Sequence, residues 1–65
     1  MMLQEALALF RRLGIDPGSL SRPEFSDAYH RLAWRYHPDV NPHAHELMAN
    51  INAARTTILE SYLRG

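Results

Sequence analysis

A chain of 65 residues has room for one domain and one small core, and at 46% hydrophobic and 22% charged it is too apolar for a disordered tail. Seven arginines balance seven acids with no lysine, so a formal charge of zero at pH 7 argues against strong whole-chain attraction to nucleic acid or an anionic membrane, though not against a local basic patch. With no cysteine there are neither disulfide staples nor cysteine zinc ligands, and the cytoplasm is the expected location.

Gln4, Glu5, Arg11 and Arg12 interrupt the first thirteen residues, which excludes a spanning segment or signal-peptide core there. Leu3, Leu7, Phe10 and Leu13 recur on one side with Ala6 beside them, predicting a first helix of three turns that stops at Gly14. Asp16, Pro17, Gly18 and Ser19 then make a turn-rich connector, pinned to the core by Ile15 and Leu20.

Ser21, Arg22, Pro23 and Glu24 spell an S-x-x-E capping box, the clearest helix start in the chain. Phe25, Ala28, Tyr29, Leu32, Ala33 and Tyr36 follow at spacings of three and four, so the second helix runs from about Arg22 to Tyr36 with a continuous inward stripe. At roughly 100° per residue, Trp34 falls on the other side, near Asp27, Arg31 and Arg35. The plainer expectation is an indole folded back on the core's flank or capping a loop. The alternative is an exposed contact residue.

Pro38 ends this helix, and His37, Pro38, Asp39 and Val40 form the link. Asn41 is a suitable cap and Pro42 a preferred first residue, so the third helix is predicted to begin at Pro42 or His43. Ala44, Leu47, Met48, Ile51, Ala54, Ile58 and Tyr62 form its stripe, with Ala49, Asn50, Ala53, Thr56 and Thr57 on the outer face. Arg55 intrudes on that stripe, its stem expected over the core and its guanidinium in water or on an acid. One valine and no period-two run disfavour strands. The expected fold is all-α: a small helical domain in which an antiparallel hairpin of helices two and three is covered by a short first helix. Phe25, Tyr29, Leu32, Tyr36, Leu47, Ile51 and Ile58 are its expected buried residues.

The run Ala28-Tyr29-His30-Arg31-Leu32-Ala33-Trp34-Arg35-Tyr36-His37-Pro38-Asp39-Val40-Asn41-Pro42 strongly resembles the J-domain of the DnaJ (Hsp40) co-chaperone family. The likeness continues through Ile51-Asn52-Ala53-Ala54 and back to Leu13-Gly14-Ile15, covering nearly the whole chain, residues 1–65 reading as one J-domain-like unit that is either whole or part of a longer protein. It implies a domain that docks on the ATPase part of an Hsp70 chaperone and accelerates that partner's ATP hydrolysis, doing no chemistry itself and needing no cofactor or metal. It implies His37, Pro38 and Asp39 as the partner-binding loop and the outer face of the second helix as a second docking surface. Arg22, His30, Arg31, Trp34 and Arg35 are counted in that surface, on a domain expected to be a monomer with no nucleic acid partner and no membrane contact. Ser26, Asp27 and His30 stand where the family is commonly basic, which shrinks the positive patch toward Arg31, Arg35 and Arg22. Arg55 stands where an aromatic residue is common, and the connector before Phe25 is about one residue longer than usual for the family.

Chemically, Asp39 is a compact anion suited to a partner arginine, His37 supplies a ring donor, and Pro38 limits the entropy lost on docking. A hydrolase built on His37 and Asp39 lacks a Ser or Cys nucleophile tied to them. Of His30, His37, His43 and His45, the last two are spaced two apart on a helix and point in different directions, unlike zinc ligands. A helix-turn-helix reader is opposed by the prolines and aspartate of the link and by Glu46 on the would-be reading helix. The serious alternative is a scaffold module that keeps the fold with weak or no Hsp70 stimulation, favoured by Asp27 and the thinned basic face.

Overall fold

The computed structural model describes residues 1–64, with three helices, α1 (Leu3–Arg12), α2 (Arg22–Arg35) and α3 (His45–Leu63), and a 3₁₀ turn at Pro17–Ser19. Among the described residues there is no strand, and no helix is long and apolar enough to cross a membrane. α2 and α3 form the expected antiparallel hairpin. Phe25 near the start of α2 faces Tyr62 near the end of α3, with ring centroids 6.0 Å apart, and the later Tyr29 meets the earlier Asn52. α1 does more than cover the seam, since its most extensive packing is along α3.

The core draws Ala6 and Phe10 from α1, Phe25 and Leu32 from α2, and Ile51, Ala54 and Ile58 from α3. Phe10 and Phe25, both wholly buried, meet edge to face at 5.1 Å and 66°, which sets a positive ring edge against a negative ring face. The fully buried Ala6 and Ala54 leave the volume that these rings occupy.

Three of the expected core residues, Tyr29, Tyr36 and Leu47, are only half-buried. Three helices of this length cover the middle of the hairpin and leave its flanks partly open, and a tyrosine there keeps its hydroxyl accessible. Leu3 is likewise exposed, bordering surface grooves that it shares with Ser61. Leu9 packs against the core instead. Thr57, expected on the outer face, is half-buried because the start of α1 lies over it, its Oγ1 3.2 Å from the carbonyl oxygens of both Met1 and Ala53.

The helix ends follow from local chemistry. At the end of α1 the Gly14 N–H donates to the Arg11 carbonyl at 3.0 Å and the Ile15 N–H to the Phe10 carbonyl at 2.9 Å, a paired closure that needs the positive φ of 88° found at Gly14. α2 starts on the predicted box: Ser21 Oγ accepts from the Glu24 N–H at 3.3 Å, and the Glu24 carboxylate accepts from the Ser21 N–H at 2.9 Å. The Ser21 amide, helped by its hydroxyl, holds the Glu24 carboxyl below the usual carboxylate range. The carboxylate half of the cap is therefore fully formed above the ordinary carboxylate pKa and its contribution is lost as the pH falls through the lowered one, while the Ser21 Oγ bond does not titrate.

α3 begins at His45, later than Pro42 or His43. Asn41 does not cap it. Its Oδ1 accepts from the His43 N–H at 3.3 Å and its carbonyl from the Ala44 N–H at 3.0 Å, closing a separate turn over Pro42 and His43. An asparagine that satisfies its own neighbours competes with helix entry, so the first helical turn is displaced to follow Ala44.

The connector is held from the far end of α3. Tyr62 Oη stands 3.0 Å from the Pro17 carbonyl oxygen and 2.9 Å from that of Leu20, so one phenolic proton serves two acceptors. Burial, reinforced by the Glu24 carboxylate, raises the Tyr62 pKa and keeps the group a neutral donor. Ile15 and Leu20 pack against the core as expected. Tyr62→Phe should cost about 1 kcal/mol, the net value of such a bond, and lower the Tm by about 4–8 °C for a domain of this size. Thermal unfolding followed by circular dichroism checks this, with helix content below the transition unchanged.

Candidate functional site

The link between α2 and α3 is built so that its backbone is satisfied and its acid is not. The Val40 and Asn41 N–H groups both donate to the His37 carbonyl, at 2.9 and 2.8 Å, and the His37 N–H reaches the Trp34 carbonyl at 3.4 Å. The Asp39 N–H donates to His37 Nδ1 at 3.2 Å. With the turn at Asn41, each backbone N–H from His37 to Ala44 has an acceptor, and Pro38 and Pro42 have none to place. Nδ1 accepts here, so the neutral ring carries its proton on Nε2. The Asp39 carboxylate stands 3.7 Å from that same Nδ1, too long for a hydrogen bond, and its side chain is 93% exposed.

The flank of α2 leads up to this turn. Arg31, Arg35, His30 and Asp27 are exposed and Ser26 is half-buried. Among the described residues the other ion pairs are Arg11 with Asp16 at 3.4 Å and Arg64 with Glu60 at 3.9 Å, so Arg31 and Arg35 carry no acid partner. Arg31, Trp34 and Arg35 occupy neighbouring positions on one side of the last two turns. Arg22 is also exposed, but it sits in the first turn of α2, about 20 Å along the helix from the link at 1.5 Å per residue. The structure therefore brings His37, Pro38, Asp39, Arg31, Trp34 and Arg35 to one end of the hairpin and leaves Arg22 at the other.

Trp34 does not fold back on the core. It is 72% exposed, its ring centroid 6.3 Å from that of His37. Its position opposite the apolar stripe explains this: among the described residues no second layer lies on that side of α2 to receive the indole. Val40, beside Asp39, is a second exposed apolar side chain at this end, at 59%.

Arg55 also departs from expectation. Its guanidinium lies over the Tyr29 ring, 4.7 Å from the centroid, and pairs with no acid among the described residues. The Tyr29 hydroxyl is 2.6 Å from Asn52 Oδ1, so one tyrosine engages α3 through both its face and its hydroxyl. The Arg55 Nε is buried without a hydrogen-bond partner. Asn52 and Arg55, three apart on α3, share a face by spacing, but nothing local indicates that Tyr29 is what they meet.

A helical hairpin whose closed end carries a tied turn, an outward acid and a cationic flank is the class of structure these residues define. The family model for the DnaJ domain matches residues 8–64, nearly the whole chain, and the chain belongs to that family of J-domains, non-enzymatic modules of Hsp70 co-chaperones. Neither a curated protein nor a solved structure gives a significant match.

The role of His37 within the turn is directly testable. His37→Ala removes the acceptor of the Asp39 N–H, a bond worth about 1 kcal/mol, so exchange at that amide should rise about fivefold. Hydrogen exchange by NMR should show this at Asp39, with α2 and α3 amides unaffected.

Proposed function

We propose that this domain docks on the ATPase part of an Hsp70 chaperone and stimulates its ATP hydrolysis through His37, Pro38 and Asp39. The observation that carries the reading is the Asp39 carboxylate, almost fully exposed on a turn whose amides are all engaged. Such an acid loses little conformational freedom when it meets a partner cation, and the burial of that pair at an interface gives direction to docking. Pro38 stiffens the approach. His37 holds the Asp39 amide and leaves its Nε2–H free to donate outward.

Arg31 and Arg35 are the cations of the second docking surface, with His30 beside them and Arg22 at its distal end. Their lack of an internal acid partner supports this role, because an unpaired surface guanidinium is available to a partner carboxylate. Stimulation requires that the partner bind the domain more tightly in its hydrolysis-competent state than at rest, since equal affinity shifts no population. The exposed Asp27 within the same flank favours a second reading, a scaffold module with weak stimulation, by repelling an acidic partner locally.

Asp39→Asn separates these readings. The amide is nearly isosteric and lies outside the core, so the circular dichroism spectrum should overlay that of the parent. Loss of one member of an interfacial charge pair costs about 2–5 kcal/mol, which should bring single-turnover ATP hydrolysis close to that of Hsp70 alone. Stimulation equal to the parent's would leave the scaffold reading as the better one.

Replacing Arg31 and Arg35 together with alanine should weaken Hsp70 binding with the fold intact, and the parent's affinity should fall as salt is raised. Titration calorimetry at two ionic strengths checks both; unchanged binding of the double variant would point to another face.

A further inference from the structure

The exposed indole is not part of the core. Trp34 and Val40 are the two large apolar side chains left in solvent at the closed end of the hairpin, 72% and 59% exposed. Trp34 lies beside Arg31 on the helix, with Arg35 further round on Arg31's other side, and its ring is tilted toward that of His37 at 6.3 Å, while Val40 adjoins Asp39 in the chain. Exposed apolar surface at this end thus borders a cation at Trp34 and the acid at Val40.

We propose that Trp34, with Val40 beside the turn, is the apolar anchor that sets which Hsp70 this domain accepts. This inference rests on the docking reading above. Interfaces concentrate their binding energy in a few buried aromatic and arginine side chains ringed by polar contacts, and Trp34 is the one candidate for such an anchor at this end. The two arginines and the single acid determine the chemistry of the occupant. It is an Hsp70 surface with an aliphatic recess for the indole, carboxylates on the rim facing Arg31 and Arg35, and a cation facing Asp39. An Hsp70 whose surface lacks the recess keeps the electrostatic attraction and loses the anchor. With Asp27 and His30 weakening the charged row, discrimination passes to the apolar contact.

The test uses the full chain and the Hsp70 that it stimulates best in single-turnover assays. Trp34→Ala should raise the half-saturating concentration of the domain by about tenfold or more, and Trp34→Phe should recover most of that loss. Leu63→Ala, which removes an equally exposed apolar side chain from the far end of α3, serves as the control and should leave half-saturation where it was. The Trp34→Ala effect should persist at high salt, where the loss caused by replacing Arg31 and Arg35 shrinks, because apolar burial is not screened as charge pairs are. Trp34 is the only tryptophan in the chain, so its emission should shift to the blue and resist acrylamide when Hsp70 is added, referenced to the same titration with Trp34→Phe.

Half-saturation unchanged by Trp34→Ala, with Asp39→Asn still abolishing stimulation, overturns the anchor and leaves the docking reading in place. An equal loss from Leu63→Ala also overturns it, by showing a general response to exposed apolar area. If the parent chain stimulates no Hsp70, the docking reading and the anchor fall together.

Discussion

The edge-to-face contact of Phe10 with Phe25 is the constraint on which the other features rest, because it joins α1 to α2 inside a core with few other large side chains. Without cysteine, the domain has no covalent substitute for it. Ile51 and Ile58 complete the enclosure from α3, and the alanines set how closely the helices approach. Once these contacts are made, the antiparallel course of α2 and α3 is determined, and with it the place of the short link at one end of the molecule.

This arrangement separates what holds the fold from what faces outward. The largest wholly buried side chains are those of Phe10, Phe25, Ile51 and Ile58, whereas Asp39, Arg31, Arg35 and Trp34 are exposed. Substitution of the outward residues should therefore have little effect on folding. Within the turn, its own carbonyl and imidazole acceptors take up the amides of Asp39, Val40 and Asn41. A preformed turn of this kind limits the ordering cost of association.

The polar ties between elements reinforce a core too small to specify the geometry alone. Tyr62 fastens the connector to the last turns of α3, and Tyr29 engages α3 through its hydroxyl and its ring face. Arg55 shows how such a domain accommodates a charge on an otherwise apolar stripe: its stem lies along the half-buried flank and its guanidinium settles on an aromatic face. The half-burial of Tyr29 is part of this arrangement, since a fully enclosed ring would have no open face for the cation.

Much of this was legible in the residues themselves. The capping box at Ser21 and Glu24, the stop at Gly14, the inward positions of Phe25, Leu32, Ile51 and Ile58, and the His37-Pro38-Asp39 link all depend on short-range periodicity or on local hydrogen-bonding chemistry, which a sequence records directly. The exposure of Trp34 was prefigured by its place opposite the stripe, but whether another layer would cover it was not, since that depends on how many helices stack on that side. The late start of α3 was hidden because Asn41 and Pro42 serve equally well as a helix entry or as a turn, and the choice falls to the neighbouring amides. The partners of Tyr62 and Arg55, and the predominance of α1 packing on α3, belong to the tertiary structure alone. They join positions far apart in the chain, and only the folded arrangement of three helices decides which distant side chains come within reach.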